Sequence, residues 1–131
     1  MKGNFNMSGE AILIIEDNPL NLKMMDYLLT VNKYEVHKAT DAKEALSLLK
    51  TFQPALILID IQLPGMDGLE LTRKLKAEPL YQQIPIIAIT AYAMETDKEK
   101  ALAAGCDGYI AKPIDIKTLP GIIAEYIQSK K

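Results

Sequence analysis

A chain of 131 residues, 49% of them hydrophobic, can bury one proper core, and a second domain is not expected. Seventeen acidic against 15 basic residues leave a net charge of -2 with the lysines scattered, which argues against a nucleic-acid surface. The one cysteine, Cys106, cannot close an internal disulfide, and no apolar stretch has the length of a membrane span or the core of a secretion signal. A cytoplasmic setting is the expectation.

Residues 1–9 are short, polar and rich in Gly and Asn, so a flexible tail is predicted, with the folded domain over 10–131. The apolar run Ala11–Ile15 ends in Glu16-Asp17, and Asn18-Pro19 then reads as a helix cap followed by proline at the first helical position. The helix behind it is expected to turn Leu20, Met24, Met25, Leu28 and Leu29 inward. A short strand is predicted over 34–37, alternating as an edge strand does. Asp41 with Glu44 has capping-box spacing, and Ala42, Ala45, Leu46 and Leu49 form a one-sided stripe behind it.

Residues 55–59 are continuously apolar and end in Asp60. A turn-rich loop with Gly65 and Gly68 follows, and then a helix over about 69–77. Residues 84–89 end in Thr90, with Pro85 tolerated at a strand start. A helix is predicted from 94 to 104, stopped by Gly105, and Gly108–Ala111 then runs into Lys112-Pro113. The last helix places Leu119, Ile122, Ile123, Tyr126 and Ile127 on one face. Its regular part is expected to start near Thr118, because Pro120 fits only a first turn. Strands and helices alternate strictly, which predicts an α/β domain with five parallel strands and helices on both faces.

In such a sheet the carboxyl ends of the strands lie along one edge, where ligands bind. That edge collects Glu16, Asp17, Asp60, Thr90 and Lys112. Three converging carboxylates repel, and a hard divalent cation with oxygen ligands, best Mg²⁺, would relieve them. Neither His nor Cys stands near them in sequence, which argues against zinc. A carboxylate held beside Mg²⁺ can attack phosphorus to give an aspartyl phosphate, and Asp60, ending the central run, is the best candidate. Taken singly, Asp17 is an ordinary turn residue and Asp60 an ordinary strand terminator. Four such residues in order on four strand ends weigh against that.

These stretches closely resemble the receiver domain of two-component response regulators. The matching segments are Ile12-Leu13-Ile14-Ile15-Glu16-Asp17-Asn18, Asp60-Ile61-Gln62-Leu63-Pro64-Gly65-Met66-Asp67-Gly68, Ile89-Thr90-Ala91 and Gly108-Tyr109-Ile110-Ala111-Lys112-Pro113, and the resemblance spans about residues 10 to 128. It implies a flavodoxin-like, doubly wound three-layer sandwich with strand order 2-1-3-4-5. It also implies Asp60 as phosphoacceptor, with Asp17 on Mg²⁺ directly, Glu16 largely through water, and the Gln62 backbone carbonyl as a further ligand. Lys112 would pair with Asp60 and then with the phosphoryl group, across a cis Lys112-Pro113 bond. Thr90 and Tyr109 would be the switch pair that alters the surface of the fourth helix, fifth strand and fifth helix.

The donor implied is a phosphohistidine on a histidine kinase or a histidine-phosphotransfer protein. Glu16-Asp17-Asn18-Pro19-x-Asn21 is most similar to receivers of phosphorelays and hybrid kinases, so a stand-alone or excised receiver is expected. The resemblance further implies an unidentified downstream protein and a homodimer that depends on phosphorylation. It implies no enzyme toward other substrates, only catalysis of the chain's own phosphorylation and dephosphorylation. Gln62 and Tyr92 occupy positions where the family tunes the lifetime of its phosphoaspartate.

Other readings compete. A Mg²⁺-dependent phosphatase would want a second Asp where Gln62 stands. A flavin module would want hydroxyls, not Glu16-Asp17, after the first strand. A receiver-like adaptor would work independently of phosphorylation. Of the remaining residues, His37 reads as a solvated strand histidine, Cys106 as a small packed residue, the Met24-Met25 pair as core filling, and the charges of 95–100 as a solvated helical face.

Overall fold

Val, Ile and Leu runs become strands here because their branched side chains pack on both faces of a pleated layer, leaving no position that must meet water. In the computed structural model, which describes residues 9–63, 67–91 and 95–129, five such strands alternate with five helices. In chain order they are β1 (Ala11–Ile15), α1 (Pro19–Val31), β2 (Glu35–Ala39), α2 (Ala42–Leu49), β3 (Leu56–Asp60), α3 (Gly68–Lys76), β4 (Ile86–Thr90), α4 (Glu95–Ala104), β5 (Gly108–Ala111) and α5 (Leu119–Ser129). All pairings are parallel, in the order β2-β1-β3-β4-β5. This is the flavodoxin-like doubly wound fold expected from the sequence.

Strand periodicity of two divides the core cleanly. Leu13, Ile15, Ile57, Ile59, Ile86 and Ala88 pack with α2 and α3, while Ile12, Ile14, Leu56, Leu58, Ile87 and Ile89 pack with α1 and α5. The inward stripes of α2 and α5 are as expected: Ala42, Ala45 and Leu49 are buried on one, and Leu119, Ile123 and Ile127 on the other. Pro120 occupies the second position of α5, within the first turn, where it forfeits no helical hydrogen bond. The residues before it turn on Asp115, whose carbonyl accepts from the N–H groups of Thr118 and Leu119.

Three expectations need correction. Leu20 faces outward, 78% exposed. It lies roughly 140° and 180° around the helix from Met25 and Leu29, the two residues that set the buried phase. β2 begins one residue later than expected and runs two further, to Ala39, which is fully buried and pairs with Ile15. Tyr34 instead belongs to the turn out of α1, where Lys33 takes a positive φ of 74° and the Tyr34 N–H bonds the Leu29 carbonyl. His37 is half-buried rather than simply solvated: it stacks on Phe52 at 3.8 Å between ring centroids and lies 2.6 Å from the Glu35 carboxylate.

A cross-link that the chain order does not suggest ties down the sheet edge where the strands begin. Lys76 Nζ donates to the Ile84 carbonyl at 2.8 Å, to the Gln82 carbonyl at 3.2 Å and to Asp107 Oδ2 at 2.9 Å, and that carboxylate also accepts from the Ile86 N–H. The expected tail before Gly9, and Gly65, Tyr92 and Met94, lie outside the described residues. No helix of the described residues is long and apolar enough to cross a membrane.

Candidate functional site

Register builds the site. Ile15 pairs with Ile59, so the next residues, Glu16 and Asp60, leave adjacent strand ends together. Asp60 pairs with Ile89, and Thr90 pairs with Ala111, which brings Thr90 and Lys112 to the same edge; the Lys112 N–H donates to the Thr90 carbonyl at 2.8 Å. Glu16, Asp60 and Thr90 are buried and Asp17 is exposed. Carboxylate oxygens of Glu16, Asp17 and Asp60 lie within 4.8 Å of one another.

Both oxygens of Asp60 are held. Oδ1 accepts from the Gln62 N–H at 2.8 Å, and Oδ2 accepts from Lys112 Nζ at 2.8 Å. The same ammonium stands 3.6 Å from Glu16 Oε1. Glu16 Oε2 accepts from the Asn18 N–H at 3.1 Å, while the Asn18 side chain caps α1 by accepting from the N–H groups of Leu20 and Asn21. Thus one short segment both starts the helix and anchors a buried carboxylate. Glu16 Oε1, also buried, has no hydrogen-bond partner. The Lys112-Pro113 bond is cis.

One ammonium facing three carboxylates leaves the cluster short of positive charge. Burial drives the Glu16 carboxyl up to about 7; the Asn18 N–H and Lys112 oppose this, and the nearby like-charged Asp60 adds to it. At Lys112, burial works against the charge, but the hydrogen bond and charge of Asp60, with Glu16 behind it, outweigh burial and raise the ammonium above its usual range. A hard divalent cation is the group such an all-oxygen set suits, since it would neutralise the excess and satisfy the orphaned Glu16 oxygen.

Every strand-end residue singled out from the sequence therefore reaches this edge. Tyr109 is half-buried one strand further out, where it lines a cavity of about 250 Å³ with Pro113, Ile114 and Leu119. His37 belongs to the edge strand β2 and has no part in the site. Cys106 is buried, and burial pushes its thiol up, away from the reactive thiolate. Sequence reasoning missed two contributors. One is the Gln62 N–H, which orients Asp60. The other is the close approach of Gly68, where a Cβ would stand 2.6 Å from both the Asp60 carbonyl oxygen and Ile61 Cα. The available signal was a glycine opening a helix right after a turn-rich loop.

Comparison with known proteins agrees with this geometry. The family model for the response regulator receiver domain matches residues 12–124. The polar-differentiation response regulator DivK of Brucella anthropi is 41% identical over 118 residues, which is 90% of this chain and 96% of that protein. The receiver domain of a sensor histidine kinase from Pseudomonas aeruginosa, solved with magnesium coordinated in its active-site cleft, superposes with a TM-score of 0.85 at 35% identity, covering 92% of this chain and 99% of that one. A response regulator receiver domain protein of Methanospirillum hungatei gives a TM-score of 0.86 at 33% identity, over 94% and 97% of the two chains. With four strand ends, one acidic cluster and matches that run nearly end to end, the chain belongs to the response regulator receiver domain family.

Proposed function

We propose that this receiver takes a phosphoryl group from a phosphohistidine of a histidine kinase or histidine-phosphotransfer protein onto Asp60. The observation that carries the reading is the pose of Asp60: a buried carboxylate with one oxygen fixed by the Gln62 N–H and the other by Lys112, beside Glu16 and Asp17. An Asp60 oxygen attacks phosphorus in line, the phosphorus–nitrogen bond breaks, and its electron pair returns to the imidazole. Lys112 neutralises Asp60 beforehand and follows the charge onto a phosphoryl oxygen.

Asp17, Asp60 and the Gln62 carbonyl would hold Mg²⁺ directly, and Glu16 largely through water. When bound, the ion supplies the positive charge that lets phosphoryl and carboxylate oxygens approach. Thr90 then turns toward the phosphoryl group and Tyr109 inward behind it, repacking the face of α4, β5 and α5 for a downstream protein or for a second, phosphorylated copy. The functional unit is the domain 10–131, working in the cytoplasm as a signalling module and turning over no substrate but its own acyl phosphate.

Intact-protein mass after incubation with acetyl phosphate tests the reading. Wild type with Mg²⁺ should gain one phosphoryl mass, and Asp60→Asn or added chelator should abolish the gain. No gain from acetyl phosphate or from a phosphohistidine donor would sink it. A partner bound equally well by Asp60→Asn without Mg²⁺ would then favour a phosphorylation-independent adaptor.

A further inference from the structure

The acceptor loop is wedged from beneath by the first residue of α3. Gly68 donates its N–H to the Ile61 carbonyl at 3.1 Å, and its Cα sits so close to the Asp60–Ile61 peptide that no side chain fits between them. Where Gly68 stands therefore decides where the backbone of 60–62 stands, and that backbone supplies both the Asp60 side chain and the Gln62 N–H that aims it. A shift of a few tenths of an ångström in Gly68 would pass directly to the reacting oxygen, and transfer to phosphorus is sensitive to placement on that scale.

Gly68 is itself held by a buried hydroxyl. Thr72 is 0% exposed, and its Oγ1 donates to the Gly68 carbonyl at 2.8 Å. A hydroxyl in such a place costs stability unless it is paired, and an apolar residue of the same shape would fill the space as well. On its other side the Cys106 thiol, a weak donor, approaches Thr72 Oγ1 at 3.8 Å, while the Gly68 carbonyl, which can only accept, takes the hydroxyl proton. A contiguous buried chain thus runs from the turn between α4 and β5, through Thr72 and Gly68, to the acceptor backbone.

We propose that Thr72 is a positioning residue for Asp60, its hydroxyl seating the first turn of α3 against the acceptor strand. The inference rests on the reading of Asp60 as phosphoacceptor. It is tested on the whole chain with Thr72→Val, which keeps the shape and loses the hydroxyl, and Thr72→Ser, which keeps the hydroxyl and loses a buried methyl.

Three quantities are compared: the phosphorylation rate with acetyl phosphate at saturating Mg²⁺, the exchange rate of the Gln62 amide proton, and stability in urea. Thr72→Val should slow phosphorylation about fivefold and speed Gln62 exchange, while Thr72→Ser stays within about twofold of wild type in both. Stability should run the other way, with the serine variant no more stable than the valine variant, so that a purely structural role would slow the serine variant at least as much. Unchanged Gln62 exchange in Thr72→Val, or rates that merely track stability, would overturn the proposal. Faster Gln62 exchange in Thr72→Val in a protein that no donor phosphorylates would sustain the positioning role and remove the acceptor reading alone.

Discussion

Gly68→Ala should cost about 2–3 kcal/mol of folding stability and impair phosphoryl transfer in the molecules that still fold. The added Cβ would stand 2.6 Å from the Asp60 carbonyl oxygen and 2.6 Å from Ile61 Cα. Neither obstacle is the free end of a side chain. Both are backbone at the end of a fully buried strand, so α3 must back away or β3 must bend. A melting temperature lowered by roughly 10 °C is the expected reading. Gly121→Ala is the natural control, because nothing lies within 4 Å of its Cβ position, on the exposed side of α5. There alanine should stabilise by about 0.5–1 kcal/mol through helix propensity alone. Equal effects at the two glycines would show that the close approach at Gly68 is not what matters.

Glu16→Gln should stabilise the metal-free protein at pH 8 and much less so at pH 5. The Glu16 carboxyl ionises at about 7 in the folded protein against an ordinary 4.5. A raised acid holds its proton in the folded state after the unfolded chain has released it, so stability falls as pH rises through this window. The penalty is absent below the ordinary value, grows between the two, and is complete above 7. Its full size is about 3 kcal/mol. Glutamine stays neutral throughout and escapes it, although its amide brings a constant offset of its own. Urea unfolding in chelator at the two pH values should show the gap between variant and wild type widening toward pH 8. Adding Mg²⁺ at pH 8 should raise wild type more than the variant. A gap that stays constant would mean that the buried carboxylate is not the source of strain.

Most of the site was legible in the sequence, for a simple reason. Parallel strands buried on both faces announce themselves as unbroken apolar runs, and the residue after each run must emerge at the same edge. Glu16, Asp60, Thr90 and Lys112 could therefore be brought together from strand ends alone. What escaped depends on distances between segments that no local pattern encodes. The contact of Gly68 with the Asp60 backbone, the hydroxyl of Thr72 beneath it, and the stack of His37 on Phe52 are tertiary facts. Lys76 and Asp107, paired across the sheet entrance, are separated by 31 residues. Leu20 was misplaced because α1 carries more apolar residues than one face can bury, and only packing against the sheet selects Met25 and Leu29.

The five helices are not attached equally. α1, α2, α3 and α5 each bury at least one leucine or isoleucine against the sheet, whereas the buried side chains described in α4 are Ala101 and Ala104. A methyl group removes little area from water, so lifting α4 off forfeits only a small part of what holds the domain together. Its amides are then expected to open by a local route, well below the free energy of global unfolding. The ion pair of Lys76 with Asp107 secures the chain just beyond its carboxyl end. Any detachment of α4 is therefore expected to be tethered at its carboxyl end, beside the strand entrances.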